Sequence, residues 1–393
     1  MYAPRRGRFN APIRRFGWPA ALCLAAPFLL LGARTPAWAQ AVRDTTQALV
    51  KKEVLATRHT SISAYPYAYY TPETELAFGA GGIVTFYTSE ERLLRPSKAT
   101  VSAYYTTTNQ YKFSLSPQLY FGQNTLFISA DLTYGHYVDK FWGIGNDVPD
   151  IDETGYTSRA FGLDANVQVT PVKKWLGNTR TGIVFDFWNS DIADKKENPY
   201  LLSGDVEGSD GGVSSGLGFN WIWDTRDEIF WPTKGVFSQG KLVFYGPAFG
   251  SDFEFNRLEV DIRQYNAIRP EKVLAFQFYV HAVSGTPPFY DLPALGGQRI
   301  MRGYYQGRYR DDIFAAAQAE YRAHLWKRFG YVLFAGIGDV ADRWSEFQID
   351  EIKASLGAGL RCRFSKTEKV NLRVDVGFGR GTSGVYFGLE EAF

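Results

Sequence analysis

The sequence predicts an all-β protein, a transmembrane antiparallel β-barrel of sixteen strands, on three observations. Aromatic residues make up 16% of the 393 residues, and this content favours strands. Another 39 residues are glycine. Beyond the N-terminal signal, no apolar stretch comes near the roughly 20 residues that a transmembrane helix needs. Segments of alternating polar and apolar residues recur along the rest of the chain. A chain that crosses a membrane with such segments must close them into a barrel.

The first 39 residues have the pattern of a cleaved secretory signal. Arginines that include Arg14 and Arg15 precede an apolar run from Trp18 to Leu31, and a small-residue cleavage site, Ala37-Trp38-Ala39, follows. Residues 1–39 hold six of the 43 basic residues and none of the 41 acidic ones, so the mature chain carries a net charge of 37 − 41 = −4. Because its basic and acidic residues are interleaved, we expect no nucleic-acid partner.

The alternation of side chains assigns one face of each strand to lipid and the other to a wet lumen. In the segment 257–263 the apolar residues occupy the even positions and the charged residues occupy the odd ones. The segments 273–283, 317–325 and 370–378 alternate in a similar way. Successive side chains of a strand point to opposite faces, and membrane barrels turn the apolar face outward. We therefore expect the charged residues of these segments inside the barrel.

Sixteen such segments account for almost the whole mature chain. The strands are expected near residues 61–71, 74–88, 98–107, 110–121, 125–137, 153–169, 179–190, 211–225, 234–248, 253–268, 271–284, 312–326, 330–342, 351–364, 369–380 and 382–393. An even number of strands is what bacterial barrels require. Residues 40–60 remain as a short polar lead, expected in the periplasm, and residues 61–393 form one barrel domain.

Three groups of residues stand out between these strands and at the end of the chain. The first lies between the eleventh and twelfth strands and consists of Phe289, Tyr290, Gly296, Gly297, Arg302, Gly303 and Tyr304. The second lies between the eighth and ninth strands and consists of Asp224, Thr225, Arg226, Asp227, Pro232 and Gly235. The third is Val385, Phe387, Leu389 and Phe393, predicted to share one face of the last strand. Together they resemble the bacterial surface antigen domain of the BamA/TamA superfamily.

For the first group, the resemblance implies an extracellular loop that folds back into the lumen. It also implies that Arg302 pairs there with Glu320 on the next strand and with Asp339 on the strand after that. A guanidinium presents a planar fork that suits carboxylates, and a charge in a confined lumen needs a partner.

The other two groups have expected roles in folding. The second resembles a periplasmic turn, in which Pro232 and Gly235 supply the geometry that reverses the chain. The third resembles the signal by which barrels are recognised for insertion, although Glu391 departs from its apolar pattern. The segment 141–147 is also similar to short members of the superfamily, and the resemblance gives it no role.

The resemblance implies a protein of the Gram-negative outer membrane that acts in membrane-protein insertion, assembly or translocation through the seam between its first and last strands. Its expected partners are outer-membrane lipid and unfolded outer-membrane proteins or a separate periplasmic subunit. Assembly factors of the superfamily carry POTRA domains before the barrel, and the short lead is too small for one. The alternative is a pore or surface barrel whose inward loop plugs the lumen.

No enzymatic activity and no cofactor are expected. The four histidines, His59, His136, His281 and His324, lie in no recognisable nucleophile motif. Metal-ligand spacings, phosphate-binding glycine loops and redox cysteine pairs are absent from the sequence.

Overall fold

A computed structural model describes residues 60–89, 94–151, 154–170, 178–229, 231–363, 371–389 and 391–393. The predicted export signal and the polar lead up to residue 59 lie outside the described residues. In the described part of the chain, no helix is long and apolar enough to cross a membrane.

The described strands form one closed antiparallel barrel of sixteen strands. They are β1 (Ser61–Thr71), β2 (Glu75–Phe86), β3 (Ser97–Thr106), β4 (Tyr111–Phe121), β5 (Leu126–Lys140), β6 (Gly155–Val169), β7 (Thr179–Asp194), β8 (Gly211–Asp224), β9 (Gly235–Tyr245), β10 (Phe255–Arg269), β11 (Lys272–Gly285), β14 (Ile313–Trp326), β15 (Phe329–Ala341), β16 (Lys353–Arg363), β17 (Asn371–Gly379) and β18 (Thr382–Leu389). Two short strands, β12 (Ala294–Leu295) and β13 (Tyr309–Arg310), pair with each other between β11 and β14. The predicted fold class is confirmed, and the predicted strand ends agree within about four residues.

The antiparallel order gives the barrel two different ends. The loop end carries the longer connections, at 141–154, 195–210, 286–312 and 342–352. A helical turn in the second of these, α1 (Pro199–Leu202), begins at Asn198, whose side chain accepts hydrogen bonds from the N–H groups of Tyr200 and Leu201. The turn end carries shorter connections such as 225–234 and 327–328.

The two faces of the strands have the polarity that the alternation predicts. Asp261 of β10 and Glu320 of β14 are buried inside the barrel, as is Asp375 of β17. On the outer face, Phe276 and Phe278 of β11 are exposed, as expected for side chains that meet lipid. The predicted inward orientation of the charged side chains Asp261, Glu320 and Asp375 is therefore confirmed.

Apolar side chains fill the barrel interior near the loop end, between the connections and the strands. This cluster contains Phe141, Tyr156, Val184, Ile192, Leu201, Val243, Tyr245, Phe253, Phe255, Val283, Phe289 and Leu292. Phe289 belongs to the long connection 286–312, and Phe141 belongs to the connection 141–154. Burial of such large apolar groups holds both connections against the barrel wall.

Candidate functional site: the inward loop and the barrel seam

Residues 286–312, here called the inward loop, pack against side chains that point into the lumen. The loop begins with a 3-10 turn at Phe289–Asp291 and contains the β12–β13 hairpin. Gly303 has a φ of +111°, and a Cβ on it would lie 2.6 Å from the main chain of Phe378. Only glycine fits that position, because both the backbone conformation and the close approach to β17 exclude a side chain.

Arg302 lies at the tip of the inward loop and is fully enclosed, with an exposed fraction of 0%. Its Nη2 donates to Glu320 Oε1, and its Nη1 donates to Asp375 Oδ2 over 2.7 Å. The guanidinium lies 3.6 Å above the ring centroid of Phe334, and the main-chain oxygen of Arg302 accepts a 2.6 Å hydrogen bond from Ser355. Two carboxylates and one aromatic face thus compensate the buried positive charge.

The predicted partnership of Arg302 with Asp339 is wrong, because Asp375 occupies that place. Asp339 instead forms a 2.7 Å ion pair with Lys353. The strand register gives the reason: Glu320 pairs with Phe334 of β15, whereas Asp339 pairs with Ala315. Asp339 is five residues beyond Phe334, which is about 17 Å along the strand. It therefore lies much nearer the loop end than the arginine.

The carboxylates that hold Arg302 also belong to a larger charge network. Glu320 accepts a 2.9 Å hydrogen bond from Arg322, and Asp375 accepts one of 2.5 Å from Arg361. Arg361 in turn donates to Glu391 over 2.8 Å. Positive and negative groups alternate along this chain of contacts, so each buried charge has an opposite neighbour. Sequence reasoning had placed Glu320, Arg322 and Asp375 inside, but it had not identified this connection.

The end of the chain turns into the lumen, and the prediction that Phe393 shares one face with Val385, Phe387 and Leu389 is wrong. Val385 and Leu389 are exposed on the outer face as predicted, but β18 ends at Leu389. Phe393 is buried with Tyr265 and Ala275 on the inner side of the barrel wall. Glu391, the residue that broke the apolar pattern, is buried beside Arg361 and Asn371. Its charge explains the inward turn, because Arg361 compensates it there.

The second group of residues forms a turn at 225–234, at the turn end. Asp224 accepts two hydrogen bonds from the guanidinium of Arg226, at 2.9 and 2.8 Å. Asp227 accepts from the Thr233 N–H over 2.8 Å, from its hydroxyl, and from the Lys234 N–H over 3.1 Å. Burial would raise the pKa of Asp227, but the bonds from Thr233 and Lys234 outweigh it and lower the pKa. Gly235, with a φ of +106°, ends the turn.

The segment 141–147, for which the sequence suggested no role, crosses the loop end and contacts the inward loop. Trp142 lies 5.2 Å from Tyr305, between ring centroids, and the Gly145 N–H donates to the Arg310 oxygen over 2.7 Å. Asn146 donates to the main-chain oxygen of Val340 over 2.7 Å. The segment therefore connects the β5–β6 side of the barrel both with the inward loop and with β15.

Among the described strands of the barrel, the seam between β1 and β18 is the junction with the fewest paired positions. Among the described residues, β1 and β18 are paired only at Tyr70 and Phe387. On its other side β1 pairs with β2 along its full length, from Ser61 to Thr71. The main-chain groups of β1 before Tyr70 therefore have no strand partner on the β18 side within the described structure.

The barrel, the lumen-facing charges and the enclosed loop define an outer-membrane β-barrel protein. Residues 94–393 match the model of the Omp85 superfamily domain, and the chain belongs to the Omp85 superfamily. The predicted resemblance to BamA and its relatives is thereby confirmed. Comparison with curated proteins gave no match.

Solved structures of the superfamily share the fold. BamA from Haemophilus ducreyi lacking POTRA domains 1–3 is similar with a TM-score of 0.59 and 14% identity, over 84% of this chain and 70% of that chain. CdiB from Acinetobacter baumannii has a TM-score of 0.53 and 11% identity, over 86% and 66% of the two chains. CdiB from Escherichia coli has a TM-score of 0.52 and 10% identity, over 88% and 70%.

Proposed function

We propose that the protein inserts, assembles or translocates polypeptides at the seam between β1 and β18. The observation that carries this proposal is the single paired position, Tyr70 with Phe387. The neighbouring pair β17–β18, by comparison, is in register from Leu372 to Gly379. A closed barrel normally leaves no strand edge, so a nearly unpaired junction is a specific departure from the architecture.

An unpaired strand edge is a template for another strand. The backbone N–H and C=O groups of an unpaired edge need partners, and in hydrocarbon each unsatisfied group costs several kcal/mol. A strand that enters the seam would satisfy those groups by β-augmentation. On the other side, Gly384 and Gly388 of β18 offer no side-chain contact across the seam, which favours opening there.

The partners we propose are outer-membrane lipid and unfolded outer-membrane proteins, with a separate periplasmic subunit as a source of POTRA-like function. Membership of the Omp85 superfamily supports a role in insertion or translocation. The likeness to BamA and CdiB supports the fold on which this role depends. We propose no chemical catalysis and no cofactor.

A covalent lock tests the seam. In a Cys362→Ser background, Tyr70→Cys and Phe387→Cys would be joined by oxidation, since these residues are register partners. The matched control joins Ala358→Cys and Val376→Cys, which are register partners in β16 and β17. We expect the seam lock to abolish insertion of a client barrel into liposomes and the control lock to leave it intact. Full activity of the seam-locked protein would rule out lateral opening.

The second candidate is a pore closed by its own loop, and the enclosure of Arg302 favours it. In this alternative the inward loop controls solute passage and the seam has no role. Depletion of the protein distinguishes the two functions. Lower levels of other outer-membrane barrels support assembly, whereas normal levels with altered solute uptake support the pore.

A further inference from the structure

The inward loop contacts both sides of the seam. On the β18 side, the Gly303 N–H donates to the Tyr386 hydroxyl over 2.9 Å. On the β1 side, the Gln306 N–H donates over 2.9 Å to the carboxylate of Glu73, in the turn that joins β1 to β2. We propose that residues 303–306 act as a seam clamp, and that Glu73 and Tyr386 are the positioning residues that it holds.

The clamp matters because the strands themselves contribute little at this junction. With β1 and β18 paired only at Tyr70 and Phe387, the two hydrogen bonds of the clamp are comparable in number to the direct pairing. A hydrogen bond contributes about 0.5–1.5 kcal/mol net, so two of them can set the balance between a closed and an open seam.

The β18 side of the clamp is a buried and well-defined contact. Tyr386 has an exposed fraction of 0%, and its ring lies over Gly384, where a Cβ would come within 2.6 Å of the hydroxyl. The hydroxyl accepts from the Gly303 N–H, and it is also 3.5 Å from the Tyr304 oxygen, to which it can donate. Glycine at 303 allows the loop to come this close.

The β1 side depends on a carboxylate in a turn that its neighbours hold in place. Gln110 donates from its side chain to the main-chain oxygen of Glu73 over 2.9 Å. Burial raises the pKa of Glu73, and the hydrogen bond from Gln306 lowers it in part. Because a protonated carboxyl retains a carbonyl oxygen, either form can accept the Gln306 N–H.

The clamp is anchored next to the most strongly held residue of the loop. Arg302 immediately precedes Gly303 and is fixed by Glu320 and Asp375, as described above. Tyr304 is fixed as well, since its hydroxyl donates to the Ala354 oxygen over 3.0 Å. Release of Arg302 from its carboxylates would therefore loosen the clamp and favour an open seam.

The seam clamp deepens the proposed function and rests on it, but its test needs no client protein. Spin labels at Ala68→Cys and Leu389→Cys, in a Cys362→Ser background, report the distance across the seam by pulsed electron paramagnetic resonance in liposomes. Ala68 lies on β1 and Leu389 on β18, each two residues from the paired position of Tyr70 with Phe387, so the antiparallel register places them opposite each other. The variants are Glu73→Ala and Tyr386→Phe, each of which removes one contact of the clamp.

Two further variants make the test specific. Glu73→Gln keeps a carbonyl acceptor and should behave as wild type. Glu75→Ala removes the neighbouring acid, which accepts from Thr107 over 3.1 Å and not from the loop. We expect about a fivefold larger open population for Glu73→Ala and for Tyr386→Phe, the effect of losing one hydrogen bond, and no change for the two control variants.

The outcomes separate the clamp from the proposed function. Distances in Glu73→Ala and Tyr386→Phe that equal those in Glu75→Ala would overturn the clamp, whatever the insertion activity. An equal effect of Glu73→Gln and Glu73→Ala would overturn the acceptor role of Glu73. A wider seam without any change of insertion activity would support the clamp and count against the proposed function. Heat-modifiable gel mobility establishes that each variant is folded.

Discussion

Arg322 donates a 2.6 Å hydrogen bond to the main-chain oxygen of Phe393, and its guanidinium lies 5.2 Å from the centroid of the Phe393 ring. Phe393 is thereby held inside the lumen, although the sequence pattern had placed it on one face with Val385 and Leu389. Because Arg322 also binds Glu320, the end of the chain and the inward loop share one group of charges.

The buried ring of Phe393 makes the end of the chain a stability element. We expect Phe393→Ala to lower the free energy of unfolding by about 3 kcal/mol, the lower end for a buried aromatic residue. Leu389→Ala is the matched control, because Leu389 faces outward and is 42% exposed. Thermal unfolding by heat-modifiable gel mobility measures both. Equal melting temperatures for the two variants would contradict the inward packing.

Removal of the Arg302 guanidinium should loosen the inward loop. Breaking a buried charge pair from one side costs on the order of 3–5 kcal/mol, so Arg302→Ala should melt earlier and expose the loop to protease. Arg302→Lys should rescue only in part, because an ammonium lacks the two-pronged geometry. Arg299→Ala, at an exposed arginine of the same loop, is the control. Indistinguishable behaviour of all three variants would count against the role of Arg302.

Asp375 and Asp339 differ in the effect that their substitution should have on the inward loop. Asp375→Asn should reproduce much of the Arg302→Ala phenotype, because it removes a charge 2.7 Å from the guanidinium. Asp339→Asn should weaken only the contact with Lys353 and leave protease cleavage near residue 302 unchanged. The opposite order of the two effects would restore the pairing that the sequence suggested.

The turn at 225–234 should loosen in acid. A lowered pKa of Asp227 means that its stabilising contribution is complete above about pH 4, near the ordinary value, and is lost as the pH falls through the lowered pKa. Amide exchange at Thr233 and Lys234 should therefore accelerate in acid beyond its intrinsic pH dependence. Asp227→Asn should exchange fast at neutral pH and lose the transition. If the acid-dependent change in amide exchange survives in Asp227→Asn, it is caused by the titration of another group.

The segment 141–147 should help to close the loop end. Asn146→Ala removes the hydrogen bond that Asn146 donates to Val340 and the one that it accepts from Lys353, and Trp142→Ala removes the ring that packs on Tyr305. We expect each variant to raise protease cleavage of the inward loop several-fold and to increase conductance in planar bilayers. Ile144→Ala, which truncates a side chain that is 48% exposed, is the control and should match wild type. Equal conductance of all four proteins would contradict this role.

The fold could be predicted from the sequence because the alternation of polar and apolar residues in a barrel strand indicates which face points into the lumen. Asp261, Glu320 and Asp375 alternate with apolar neighbours, and that alternation alone placed them in the lumen. The ion pairs between the inward loop and the strands could not be predicted in this way, because they depend on the strand register and on the path of the loop. Asp375 and Asp339 are both buried carboxylates, and only the strand register shows which of them lies level with Arg302.

Contacts made by main-chain groups could not be predicted from residue types. Glu73 and Tyr386 are held by N–H groups of the inward loop, which any residue supplies. The role of Asn146 likewise depends on a carbonyl of β15. Phe393 was misplaced because the alternation was continued past Leu389, where the strand ends and Glu391 turns inward to Arg361.

The enclosure of Arg302 also constrains the order in which the protein can fold. Glu320, Ser355 and Asp375 surround the residue, and they belong to three different strands. A loop threaded through a completed wall would carry an uncompensated charge past apolar side chains, at high energetic cost. The loop is therefore expected to take its place while the final strands are still open. Closure of β1 against β18 then becomes the last step of folding.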